Sequence, residues 1–314
     1  MTDLTISNTM STLPIDDAVF NGVVDAGTLT DGFVTISQGI VSGGSINMNI
    51  NIGSDAGRNT FAGDDAGASV TAGGGTDNTF YGFEAGTNVT TGDFNVVIGS
   101  TAAESLTTGT GNTLIGSAVA ESLETGINNV WIGASTGDSV GAATSECVFV
   151  GNSIVGSADS ANSVAVGNNS TCEAANTVAV GNGTTVSAAN AVAIGLAALA
   201  EGVSSIAIGQ EAEASAASSV SIGIQAICEG DSGVCIGNNA NCDKDSNVVI
   251  GTSANDNNNA NVICLGNSAS ASASNQIALP SGMLVATVPT TLSGHIAVNI
   301  GGTVRHIPLY TNPS

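Results

Sequence analysis

The sequence predicts an all-β fold, a parallel β-solenoid or β-roll assembled as a homotrimeric rod with a C-terminal β-hairpin cap, and three observations predict it. Glycine recurs every 14 residues at Gly167, Gly181, Gly195, Gly209, Gly223, Gly237 and Gly251, each closing a short apolar run such as Ser163-Val164-Ala165-Val166-Gly167. The third and first positions before that glycine are β-branched throughout: Val164, Val178, Val192, Ile206, Val220 and Val166, Val180, Ile194, Ile208, Ile222. The position between them holds Ala165, Ala179, Ala193, Ala207, Ser221, Cys235 and Val249. A period held this long means one supersecondary unit stacked on copies of itself. β-Branched residues spaced by two mark one face of a strand.

Along the chain, residues 1–50 are β-rich around Thr28-Leu29-Thr30-Asp31-Gly32-Phe33-Val34-Thr35-Ile36 but do not keep the later register, and they are expected to form a base or attachment segment. Residues 51–150 carry the closing glycine with a 17-residue period at Gly82, Gly99, Gly116 and Gly133, and their Thr-Gly pairs Thr91-Gly92, Thr108-Gly109 and Thr125-Gly126 read as a wider turn added to the same coil. Residues 151–280 carry the 14-residue repeat. Its second half places Ala198, Ala212, Ala226, Ala240 and Ala254 three residues after the glycine, with Cys172, Val186, Ala200, Ala214, Cys228 and Cys242 two positions further, as a second, thinner strand. Residues 281–314 contain two β-patterned stretches around Gly301-Gly302, a hairpin signal, expected to cap the stack and shield its open edge. About 14 coils at roughly 4.8 Å each would give a shaft of roughly 65 to 70 Å.

The expected interior is the β-branched pair, with Val164, Val166, Val178, Val180, Val192, Ile194, Ile206, Ile208, Val220 and Ile222 as the coil core. The small residues between them then lie on the strand's other face. A strand apolar on both faces is buried on both, so Ala165, Ala179, Ala193, Ala207, Ser221, Cys235 and Val249 are expected to pack three chains about an axis.

The copies Asn162-Ser163-Val164-Ala165-Val166-Gly167, Asn176-Thr177-Val178-Ala179-Val180-Gly181 and Asn190-Ala191-Val192-Ala193-Ile194-Gly195 resemble the head repeats of trimeric autotransporter adhesins over about residues 150–280. That resemblance implies a left-handed parallel β-roll in a trimer. The 17-residue units, from Asn78-Thr79-Phe80-Tyr81-Gly82 to Asn129-Val130-Trp131-Ile132-Gly133, are more similar to repeats of phage and large-virus fibre proteins, over about residues 53–150. The C-terminal stretch resembles closing segments of viral fibres.

Composition excludes several functions. The formal net charge is -23, with Arg58, Lys244 and Arg305 as the cations, so phosphate backbones and anionic membranes would be repelled. Met1-Thr2-Asp3-Leu4-Thr5 does not begin a signal peptide, and no apolar run approaches a membrane span. The stalk and membrane barrel of the adhesin family have no counterpart here. A protein made in the cytosol and built into a virion surface or extracellular assembly is therefore expected.

Chemistry-bearing motifs are sparse. The cysteines at 147, 172, 228, 235, 242 and 264 occupy positions that elsewhere hold small residues, and read as core. Cys228 and Cys242 belong to adjacent coils at a Cα spacing of about 4.8 Å, within the range a disulfide spans, although their side chains point the same way. Asp243-Lys244-Asp245-Ser246-Asn247 opens like a calcium loop but lacks the glycine and terminal glutamate such a loop needs. Asp64-Asp65 and Asn255-Asp256-Asn257-Asn258-Asn259 read as turns, and His295 and His306 as packing or surface residues of the hairpin. No phosphate loop or nucleophile triad is present, so no catalytic residue, metal or cofactor is expected.

Function is then expected from shape: a non-enzymatic virion fibre or spike whose distal loops bind a host glycan or surface protein, weak contacts being multiplied by copy number. The alternative is a filament or shell component joined end to end without ligand recognition. A lyase on a solenoid would need arginine and tyrosine to line a cleft, and this chain has 2 Tyr.

Overall fold

The computed structural model describes residues 57–281, apart from 72, 138, 139 and 158, and the backbone of 291–300 and 303–311. The chain divides into two units, Met1–Met48 and Asn49–Ser314, and every described residue belongs to the second. The expected base segment, 1–50, lies outside the described residues.

The described chain is all-β, a parallel solenoid of about 14 turns. One strand per coil, of three residues except for the four of Val262–Leu265, builds a 15-stranded sheet from Thr60–Ala62 to Gln276–Ala278 in which every neighbour is parallel. Register is one full repeat: Val178 pairs with Val192, and Val192 with Ile206. A second sheet of seven two-residue strands, from Val155–Gly156 to Asn241–Cys242, faces it along the 14-residue region. Bridges at Asn255 and Ser270 extend it.

Strands of the long sheet stay short because left-handed residues turn the chain at both ends of those from Thr60–Ala62 to Val262–Leu265. Around Val192–Ile194 these are Asn190 at φ 60° and Ala197 at φ 51°. The closing glycine is required for two reasons, seen at Gly195. Its φ is +139°, and a Cβ there would lie 2.3 Å from the Gly209 carbonyl oxygen of the next coil. No side chain fits between backbones stacked this closely.

The interior is the reverse of the sequence expectation. Ala165, Ala179, Ala193, Ala207, Ser221, Cys235 and Val249, expected at a trimer axis, all point into the coil and are completely buried within the single chain. The expected coil core, Val164, Val166, Val178, Val180, Val192, Ile194, Ile206, Ile208, Val220 and Ile222, points outward and is half-buried or exposed. Lumen size is the physical reason. A 14-residue coil has four inward positions, filled around Gly195 by Ala191, Ala193, Ala198 and Ala200, all at most 1% exposed. Two β-branched side chains per coil would overfill that space.

Wider coils use larger fillers at the same inward position, which reads Phe61, Phe80, Val97, Leu114 and Trp131. Phe61 stacks on Phe80 at 5.0 Å between ring centroids, and Trp131 on Phe149 at 5.3 Å. A third left-handed corner follows four residues after each closing glycine, at Gly67, Gly86, Ala103, Ala120 and Gly137. Ring size dictates its identity. Glycine stands opposite Phe61, Phe80 and Trp131, where a Cβ would come within 2.8, 2.9 and 2.5 Å of the ring. Alanine is accepted opposite the smaller Val97 and Leu114.

Buried asparagines hold these wide coils in register. Asn112 donates from Nδ2 to the Gly126 carbonyl at 2.8 Å, and its Oδ1 accepts the Asn129 backbone N–H at 3.0 Å. The same pattern links Asn59, Asn78, Asn95, Asn112 and Asn129, and it ends where Cys147 N–H donates to Asn129 Oδ1 at 3.0 Å. Every otherwise orphaned lumen amide at this position thus gains a partner. In the narrower coils Ser163 and Thr177 take over, with Thr177 N–H donating to Ser163 Oγ at 3.1 Å.

At the C-terminal end, Thr291–Ile300 and Thr303–Thr311 form an antiparallel hairpin whose last pair is Ile300 with Thr303, with one irregularity between Leu292 and Gly294. The hairpin predicted from the Gly301-Gly302 pattern is therefore present in the backbone. The turn residues and the side chains of His295 and His306 lie outside the description.

Candidate assembly face

Because the middle residue of each strand fills the lumen, most strands of the long sheet present two β-branched or aliphatic residues outward. From Val96 and Ile98 to Ile263 and Leu265 these stack in two parallel rows, interrupted by Thr113. Their exposure is intermediate or just above a third, for example 38% at Val166 and 37% at Ile194, since each is flanked by its equivalents above and below. Apart from Thr113, the two rows make an apolar stripe on the order of 1,000 Å², beyond the few hundred Å² that soluble monomers usually leave open. Toward the N-terminus the stripe turns polar or bulky, with Thr60, Ala62, Thr79 and Tyr81 in the same rows.

The lumen itself is thin. Alanine buries little apolar surface, so a coil with an all-alanine interior gains little from its own core, and a large share of its apolar area remains on the outer face.

Acidic segments serve the backbone. Asp256, in the turn read as Asn255 to Asn259, is completely buried. Its carboxylate accepts the backbone N–H groups of Asp243, Lys244 and Asn258 at 3.0, 3.1 and 3.0 Å and Asn247 Nδ2 at 2.6 Å. This ties down the longer coil between Gly251 and Gly266. A buried role for Asp256 was not legible, since nothing in an Asn-rich run marks which residue turns inward. Burial, and then the Asp256 charge, raises the Asp243 carboxyl above its ordinary value. Asp231 and Asp245 sit in equivalent turns, where Asp231 accepts the Ala217 N–H and Asp245 the Asp231 N–H, each at 3.0 Å. Among the described residues no group of three or more His, Cys, Asp or Glu is arranged to hold a metal ion. At the other end of the solenoid Arg58 donates from Nε to Asp77 at 2.6 Å in an exposed ion pair.

All six cysteines are buried and unpaired. Burial pushes the thiols of Cys172 up to about 11 and Cys235 up to about 12, and raises those of Cys147 and Cys264. No described helix is long and apolar enough to cross a membrane. No protein-family model and no curated protein matches this chain in sequence.

Proposed function

We propose that the chain is the shaft of a non-enzymatic homotrimeric fibre, with the outward Val/Ile rows turned toward the three-fold axis. One observation carries this reading: the lumen is already occupied, by small residues in the narrow coils and larger ones in the wide coils, yet a second apolar ladder is left on the outside of the same strands. Selection for solubility alone would place polar residues at those outward positions, as antiparallel sheets with one wet face do. A flat strip this long suits another copy of itself, because repeats of equal pitch match along their whole length. The area per chain is of the size that stable interfaces bury, roughly 800 Å² per partner.

The fibre belongs at a virion surface, and the support for that step is the resemblance of the wide-coil repeats to phage and large-virus fibres. In this reading the C-terminal hairpin caps the shaft, and host contact is made through exposed turns whose weak affinities add across chains. The full chain is tested by native mass and by negative-stain imaging. Trimers seen as discrete rods agree with the proposal, whereas long uniform threads would favour the end-to-end filament. Host contact is tested on a glycan array with the full chain and with a chain ending at residue 281. Equal binding by both would remove the hairpin from the attachment role.

A further inference from the structure

Cys228 and Cys242 occupy the same position in successive coils and are direct register partners in the short sheet. No other two cysteines are register partners in the described strands: Cys172 pairs with Val186, Cys235 with Ser221 and Val249, and Cys264 with Val249 and Ala278. Both side chains point into the lumen and are completely buried.

What marks the pair is the residue beside it. Gly233 holds the lumen position that other narrow coils fill with Ser163, Thr177, Ala191, Ser205 and Ser219. Its backbone is not among the left-handed glycines. Space is the reason for glycine here, since a Cβ at 233 would lie 2.8 Å from Cys228 Sγ, 2.9 Å from the Gly230 carbonyl oxygen of the tight turn and 3.1 Å from Cys242 Sγ. The two sulfurs therefore converge on one point that the missing methyl leaves open. Neither thiol has a strong partner elsewhere: Cys228 donates to the Gly230 carbonyl at 3.9 Å, and Cys242 to the Lys244 and Asn247 carbonyls at 3.7 Å.

We propose that Cys228 and Cys242 are a disulfide-forming pair that staples two successive coils when the chain folds in the presence of a disulfide oxidant. A Cα separation near one strand spacing, about 4.8 Å, lies within the range that a disulfide bridges. With oxidised glutathione as oxidant, the Cys228 thiolate attacks one glutathione sulfur, and the glutathione disulfide breaks to release one thiolate. The Cys242 thiolate then attacks Cys228 Sγ in the mixed disulfide and displaces the second glutathione thiolate. The two cysteine protons end on the two glutathione thiols, and the pair has lost two electrons. Since both sulfurs are sealed in the finished coil, the reaction belongs to folding, and the closed lumen then protects the bond from reductant.

The test refolds the full chain from denaturant with oxidised and reduced glutathione, alkylates remaining thiols in denaturant, and reads intact and peptide masses. The expected product has four alkylated cysteines and one intrachain link between the peptides holding Cys228 and Cys242. It should melt several degrees above the fully reduced chain, as a short closed loop predicts. Cys235→Ala should keep the link, and Cys242→Ala should abolish both link and melting gain. Six alkylated thiols after oxidative refolding, or a link that uses Cys235 or joins two chains, would overturn the proposal.

Discussion

At the scale of single residues, the Val-Ala-Val triplet shows how a correct period can be read with the wrong sense. Alternation fixes that Val192 and Ile194 share one face and Ala193 the other, but it does not say which face is the lumen. The deciding information lay in the rest of the repeat, where Ala191, Ala198 and Ala200 leave an interior into which only another small residue fits. Ala193→Asp therefore acts within the chain. A carboxylate sealed in an all-alanine lumen should destabilise folding by about 4 kcal/mol or more, and circular dichroism should show loss of β-structure. A folded Ala193→Asp protein that had merely lost its partners would contradict the inward placement. Buried thiols give a second residue-scale prediction. The unfolded chain releases thiol protons near 9, while folded Cys172 and Cys235 hold theirs to about 11 and 12. Between those limits the native state binds more protons, so stability falls as pH rises from 9 toward 12. Thermal melts should show that decline, and it should shrink in a Cys172→Ala, Cys235→Ala double variant; an unchanged slope would remove these thiols as its source.

A single coil is the element, and its circumference is matched to its filling. The 17-residue period was legible as a wider turn, but the reason for the extra width was not, because it lies in pairs of residues rather than in any one. Phe80 requires Gly86, and Leu114 permits Ala120, at the same corner and nearly the same φ of 59° and 60°. The backbone thus tolerates alanine at this corner, and the aromatic ring is what excludes it. Gly86→Ala should destabilise by about 2 kcal/mol through overpacking. In a Phe80→Leu background the same change should have an effect smaller by about 1 kcal/mol, the signature of coupled neighbours. Urea denaturation of the four proteins measures that coupling, and additive effects would show that the ring and the corner are independent. The asparagine ladder was likewise hidden, since Asn78, Asn95, Asn112 and Asn129 look like surface turn residues until the coil closes around them.

Across the solenoid, two ladders run in parallel, and only the inner one is finished. Stacked alanines, serines and cysteines complete the lumen of the narrow coils and aromatic and aliphatic side chains that of the wide ones, whereas valine and isoleucine are left in rows along the outer face. In the proposed fibre that face meets its equivalents on other copies, and a paired measurement of native mass decides whether it does. The intact chain should weigh three times its 30.4 kDa, and Val192→Asp, which puts a charge on the outer row without touching the lumen, should give a monomer that keeps its β-sheet dichroism. A monomeric intact chain, or a Val192→Asp protein that remains a trimer of normal melting temperature, would contradict it.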